Sequence, residues 1–109
     1  MEEKVVKLTV VYNLKSDADH EAFVKWRTGP HQEKLVKLQG LKEAGFWEIQ
    51  DSREGPAPYR YMSELIFPDQ ETFEKAFYDP AFQEGLKKDL ESLVDPMFLI
   101  SNQLLKKIM

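Results

Sequence analysis

The hydrophobic and polar positions alternate with a period of two at the start of this chain. In residues 4–13, Val6, Leu8 and Tyr12 share one side of an extended chain, and the opposite side is mixed. This alternation is typical of a strand with one face in the core. It recurs in residues 59–67. Two other apolar segments follow turn or proline signals and are also predicted as strands. The four predicted strands are residues 4–13, 41–50, 59–67 and 97–108.

Between these strands, apolar residues recur at helical spacing. A capping box, Ser16-x-x-Asp19, predicts the start of the first helix. Gly29-Pro30 then interrupts the pattern, because proline ends one helix and suits the first position of another. His31 therefore opens a second helical run, which Gly40 ends.

A second helical region precedes the last predicted strand. Phe82, Leu86, Leu90 and Leu93 are spaced by 4, 4 and 3 residues, which places them on one helical face. The predicted order is therefore β-α-β-β-α-β. This order is typical of an α+β, ferredoxin-like fold with helices on one face of a four-stranded antiparallel sheet. A single domain over residues 1–109 is expected.

The uncovered face of such a sheet is expected to be apolar. If Val5, Val11, Trp47 and Leu99 contribute to it, that face is too apolar for water. A symmetric homodimer, sheet against sheet, would cover it.

Composition and charge exclude several classes of partner. The net charge is -4 at pH 7 and there are no cysteines. An acidic chain is a poor ligand for nucleic acids or anionic membranes, and no apolar run is long enough for a membrane span. Without cysteine and with only two histidines, neither disulfides nor a metal site are expected. A cytoplasmic protein without a cofactor is the resulting prediction.

His31 is the first candidate for chemistry, since its unperturbed pKa lies nearest neutral pH. It could act as a general acid or base at a cavity between helices and sheet. The alternative is a polar residue that only satisfies the helix start. His20, in the first turn of a helix, is expected to be solvated.

Other polar and aromatic side chains are weaker candidates. Tyr12 and Tyr61 could orient a substrate oxygen, or could be core residues with a hydroxyl at an edge. Glu64 lies mid-strand, where burial would raise its pKa, or it could pair with Arg60 or Lys7. The candidate pocket residues, which could instead be ordinary core, are Trp26, Phe46, Trp47, Phe73 and Phe77.

Together these elements resemble the EthD-like family of dimeric α+β-barrel proteins. The resemblance rests on KLTVVYN in the first strand, on His31 nine residues before Gly40-Leu41, on GPAPYRY and on ELIF. The chain has His31-Gln32-Glu33-Lys34 where the family often has His-x-Pro-Leu, and Gln39 where proline is common.

The resemblance implies a range of activities and selects none. The family is named after ethyl tert-butyl ether degradation, and similar proteins include cyclases, decarboxylases, isomerases and cofactor-free monooxygenases. We therefore expect a cofactor-free enzyme acting on a small hydrophobic carbonyl or aromatic compound, with His31 moving a proton. The alternative is a binding or accessory protein that holds a hydrophobic metabolite without chemistry.

Overall fold

The computed structural model describes residues 4–16 and 19–108. Over these ranges four strands and four α-helices follow one another, with a short 3₁₀ turn before the last strand. The elements are β1 (Val6–Leu14), α1 (His20–Thr28), α2 (Pro30–Leu35), β2 (Glu43–Glu48), β3 (Tyr61–Phe67), α3 (Gln70–Phe77), α4 (Pro80–Asp89) and β4 (Leu93–Asn102).

The four strands form one antiparallel sheet in the order β2-β3-β1-β4. The helices cover one face, where Leu8 and Leu65 of the central strands pack with Leu35 of α2 and Phe77 of α3. A second part of the core joins Tyr12 and Tyr61 to Phe23 of α1. The ferredoxin-like arrangement predicted from the order of elements is confirmed.

The helix break at Gly29-Pro30 is present as predicted. The Gly29 N–H donates to the carbonyl of Lys25, and Pro30 occupies the first turn of α2, where its missing N–H costs no hydrogen bond. A β-carbon at Gly29 would lie 2.9 Å from the Lys25 carbonyl oxygen, so a larger residue would displace the turn. The break therefore fixes His31 in the first turn of α2.

Several predicted element ends differ from the structure. The helix α2 ends at Leu35, before Gly40. The strand β4 covers Leu93–Asn102 and so begins before Asp95-Pro96, which places Leu93 on a strand and not on the predicted helical face. The helix α1 begins at His20, and residues 17 and 18 of the predicted capping box lie outside the described residues.

A bulge in β4 explains how this strand accommodates proline. Val11 pairs with Met97 and Asn13 pairs with Val94, so Asp95 and Pro96 together oppose one residue of β1, Tyr12. Proline is tolerated at bulges and on edge strands, and β4 is an edge strand. The bulge lies beside Tyr12, at one end of the helix-covered face.

Candidate active site

A cavity of about 60 Å³ lies between the helix-covered face of the sheet and the helices. This volume is several times the ~15 Å³ that one water requires. Its wall is mostly aliphatic and aromatic. The polar side chains in the wall come from five different elements, β1, α1, α2, β3 and α4: they are Tyr12, Arg27, His31, Ser63 and Asp89.

His31 is buried in this wall with a ring nitrogen that lacks a hydrogen bond. Its ring stacks on Trp26 with the centroids 4.4 Å apart, and its side chain is 10% exposed. The Nδ1 atom has no hydrogen-bond partner among the described residues, although Asp89 Oδ2 lies 3.4 Å away. The carboxylate is thus within ion-pairing distance but is not aligned as an acceptor.

The surroundings keep the His31 imidazole uncharged. Burial, and then the positive charge of Arg27, lower the pKa of His31 to about 4. Asp89 acts in the opposite direction and Lys34 adds a smaller lowering effect. Asp89 also accepts a hydrogen bond from Lys34 Nζ at 3.2 Å. At neutral pH one nitrogen of His31 therefore carries a free lone pair.

Arg27 is a charged side chain at 2% exposure. Its guanidinium donates from Nε to Ser63 Oγ at 3.2 Å, from Nη1 to Gln32 Oε1 at 2.6 Å and from Nη2 to the Gly45 carbonyl at 3.2 Å. It also lies 4.9 Å from the centre of the Phe46 ring. Burial lowers the pKa of Arg27 and Tyr12 opposes this, but guanidinium stays protonated in proteins.

Tyr12 and Ser63 form the polar part of the sheet beneath the cavity. The Tyr12 hydroxyl and Ser63 Oγ are 2.8 Å apart, and Tyr12 is 3% exposed. Burial raises the pKa of Tyr12 above its usual 10.0, although Ser63 and Arg27 both act to lower it. Tyr12 is therefore a neutral phenol at pH 7 and can donate one hydrogen bond.

The residues proposed from sequence divide into two groups by location. Those that line the cavity are His31, Tyr12, Trp26 and Phe77. Tyr61 lies behind Tyr12, with the two rings stacked 5.7 Å apart, and Phe46 stacks on Tyr61. Neither Tyr61 nor Phe46 contributes to the cavity wall.

The three remaining candidates lie farther from the cavity. Phe73 is fully buried in the core between Phe67 and Phe77. Glu64 forms an ion pair with Lys7 at 2.7 Å on the opposite face of the sheet. Trp47 is on that same outer face and is 56% exposed.

His20 is not simply solvated, contrary to the sequence expectation. Its Nδ1 lies 2.6 Å from the Tyr61 hydroxyl, and its Nε2 lies 3.8 Å from Glu48. The side chain is 27% exposed. The fold brings Tyr61 of β3 next to the start of α1, a contact between residues 41 positions apart.

Arg27, Ser63 and Asp89 were missed by the sequence analysis. Each stands at a core-facing position of an otherwise apolar pattern: Arg27 follows Phe23 by four residues, and Ser63 alternates with Tyr61 and Leu65. A polar residue at a core position is the signal that could have found them.

Comparison with known proteins assigns the family. The EthD domain matches residues 15–97. This chain belongs to the EthD family. None of the curated proteins matches it.

Solved structures share the EthD fold at low sequence identity. An EthD family protein from Bacillus halodurans C-125 is 21% identical, with a TM-score of 0.71 over 92% of this chain and 99% of that one. A hydroxynitrile lyase from Passiflora edulis is 15% identical, with a TM-score of 0.73 over 97% and 99%. A cofactor-independent oxygenase from Streptomyces nogalater is 12% identical, with a TM-score of 0.66 over 95% and 96%.

Neither a cluster of metal ligands nor a membrane-spanning helix is found in the described part of the chain. Within residues 4–16 and 19–108, no group of three or more His, Cys, Asp or Glu side chains could hold a metal ion. Over the same residues no helix has the length and apolar character needed to cross a bilayer.

Proposed function

We propose that this EthD protein is a cofactor-free acid–base enzyme acting on a small hydrophobic carbonyl compound. His31 removes a proton from the carbon next to the carbonyl, and Tyr12 donates a hydrogen bond to the carbonyl oxygen. The observation that supports this most strongly is the unpartnered, buried Nδ1 of His31 in the same cavity as Tyr12. A buried polar atom without a hydrogen-bond partner is uncommon in proteins, and a bound ligand would supply the missing partner.

Asp89 leaves the Nδ1 atom of His31 available to the substrate. Its Oδ2 lies 3.4 Å from Nδ1 but is not aligned as a hydrogen-bond acceptor, so with the imidazole proton on Nε2 the lone pair of Nδ1 is free to take the substrate proton. In the proton transfer, a C–H bond of the substrate breaks, its proton goes to His31 and its electron pair forms an enolate. Tyr12 then stabilises the negative charge on the enolate oxygen.

An open cleft beside the cavity gives room for the remainder of a substrate. Phe23, Trp26 and Asp89 belong to the walls of both, and the cleft has a volume of about 570 Å³. A compound whose carbonyl enters the cavity could therefore keep its apolar body between Phe23 and Trp26.

Structures with this fold support chemistry without a cofactor. The neighbours include a cofactor-independent oxygenase and a hydroxynitrile lyase, so the fold is compatible with catalysis by side chains. The reaction proposed for this chain rests on its own cavity and residues.

The test is exchange of α-protons for deuterium in a panel of apolar ketones, followed by proton NMR in D₂O. We expect exchange above the buffer rate, and a loss of about 10²–10⁴-fold in His31→Gln. His20→Gln is the matched control, because it removes a histidine outside the cavity, and it should retain the rate.

Two results would contradict catalysis. Ketone binding without exchange would favour the alternative, a binding or accessory protein for a hydrophobic metabolite. Equal exchange rates in His31→Gln and the wild-type protein would remove His31 as the base.

We further propose that two copies of the chain pair through the outer face of the sheet. Across the four strands, Trp47, Met62, Val11 and Met97 form one continuous row on this face. Leu99 is beside this row and is 47% exposed. An exposed apolar face of this kind is typical of an interface.

Sedimentation tests the homodimer directly. We expect a dimer for the wild-type protein and a monomer for Leu99→Glu, with Tyr78→Glu as a control because Tyr78 is exposed away from this face. A wild-type monomer at all concentrations would overturn the pairing. A cytoplasmic location remains a prediction from composition.

A further inference from the structure

The buried charge of Arg27 has no carboxylate partner among the described residues. Its three hydrogen bonds go to a hydroxyl, an amide and a backbone carbonyl, all of them neutral. A buried charge without a counter-ion is costly, and such charges are normally paired. The carboxylate in the cavity wall, Asp89, accepts a hydrogen bond from Lys34.

The hydrogen bonds of Arg27 also allow the Tyr12 hydroxyl to donate into the cavity. Because Ser63 Oγ accepts a hydrogen bond from Arg27 Nε, its own hydroxyl can donate to the oxygen of Tyr12 at 2.8 Å. The phenolic proton of Tyr12 is then free to point toward the cavity. Arg27, Ser63 and Tyr12 then form a chain of hydrogen-bond donors that begins at the positively charged guanidinium and ends at the cavity.

We propose that the cavity binds an apolar organic acid, whose negatively charged oxygen accepts a hydrogen bond from Tyr12 and is stabilised by Arg27. This inference rests on the proposed function, because it names the substrate class of the same site. The cavity should bind an ionised carboxylate or enolate more tightly than an uncharged ketone or alcohol of the same shape.

Binding such an anion would also change the pKa of His31, the proposed base. The positive charge of Arg27 is the second-largest cause that lowers the pKa of His31. An anion beside Arg27 offsets that charge and raises the pKa of His31. The substrate therefore makes its own base stronger, whereas an uncharged compound of the same shape does not. Arg27 acts here as a positioning and electrostatic residue behind Tyr12.

The test compares benzoate with benzamide, which has the same ring and shape but no charge. Binding of each is followed by NMR titration of the wild-type protein at neutral pH. We expect benzoate to bind about tenfold or more tightly than benzamide, as is typical of charge-assisted hydrogen bonds. Arg27→Met should abolish this preference.

Two further variants control the result. Arg53→Met removes the same charge from a side chain that is 94% exposed, and it should retain the preference for benzoate. Arg27→Lys keeps the charge and should retain part of the preference for benzoate. It also provides a variant at this position if Arg27→Met does not fold.

Several outcomes would overturn the inference. These are equal affinities for benzoate and benzamide, no benzoate binding up to its solubility, or an unchanged preference in Arg27→Met. The two proposals fail separately. Ketone exchange without a preference for the anion would overturn only the anion site, and a preference for benzoate without exchange would overturn only the catalytic function.

Discussion

The two histidines of this EthD protein have similar local settings and different roles in the structure. His20 opens α1 and His31 is in the first turn of α2. Each stacks on an aromatic ring, with centroids 5.7 Å apart for His20 and Tyr61 and 4.4 Å apart for His31 and Trp26. Each also has a carboxylate within 3.8 Å.

The difference lies in what the Nδ1 atoms contact. His20 Nδ1 has the Tyr61 hydroxyl at 2.6 Å, whereas His31 Nδ1 has no hydrogen-bond partner in the described part of the chain and faces the cavity region. A histidine that the protein has already satisfied fixes local structure. One that is buried and unsatisfied can bind or transform a ligand. Substitutions at the two histidine sites test this contrast.

The largest expected effect is on stability in acid. The pKa of His31 is about 4 in the folded protein and 6.5 in the unfolded chain. Between pH 4 and pH 6.5, unfolding therefore takes up a proton. Stability therefore falls as the pH decreases from 6.5 to 4, by up to about 3 kcal/mol from this residue. Urea unfolding at a series of pH values measures it.

Substitutions separate this effect from the titration of carboxylates. His31→Gln should remove the His31 part of the slope, and His20→Gln should retain it. A slope that is the same in His31→Gln and the wild-type protein would show that His31 is not the group responsible.

The second prediction concerns the hydrogen bond of His20. Tyr61→Phe removes the hydroxyl that lies 2.6 Å from His20, and we expect a loss of about 1 kcal/mol in the free energy of unfolding. The exposed Tyr78 provides the control, since Tyr78→Phe should have no effect. The titration of His31 should not change, and a large change there would mean that the two histidine sites are coupled.

The third prediction concerns Arg27 and the charge state of His31. Arg27→Met removes the second-largest cause that lowers the pKa of His31, so that pKa should rise toward 6.5. Arg27→Lys should keep the pKa low because the charge remains. Nitrogen NMR of the imidazole measures both. A pKa of His31 that does not respond to Arg27→Met would remove Arg27 as a cause.

The smallest expected effects have opposite signs. Asp89→Asn should lower the pKa of His31, because Asp89 raises it, and Lys34→Met should raise it, because Lys34 lowers it. Tyr12, on the strand beneath, is neutral and is expected to leave this pKa unchanged. The same NMR titration measures both variants, and shifts in the same direction would contradict the charges assigned around His31.

Much of the fold could be predicted from the sequence because it depends on local periodicity. The alternation around Val6 and Leu8 and the helix break at Gly29-Pro30 are local signals, and both elements are present. The start of β4 could not be predicted, because Asp95-Pro96 is tolerated only by a bulge opposite Tyr12 at a sheet edge. Such tolerance depends on the neighbouring strand.

The site was less predictable than the fold, for a similar reason. Periodicity indicates which face of a helix is buried, but it does not show that Arg27, Ser63 and Asp89 come from three elements to one cavity. It also cannot distinguish the satisfied His20 from the unsatisfied His31. That distinction depends on Tyr61, which is 41 residues away from His20.

The pKa of His31 with and without benzoate tests the central claim most directly. Imidazole nitrogen shifts would be followed across pH 3 to 8 in the wild-type protein. We predict a pKa of about 4 without ligand, and a rise toward 6.5 when benzoate saturates the site and offsets the charge of Arg27. A pKa near 6.5 without ligand, or one that benzoate leaves unchanged, would contradict the account.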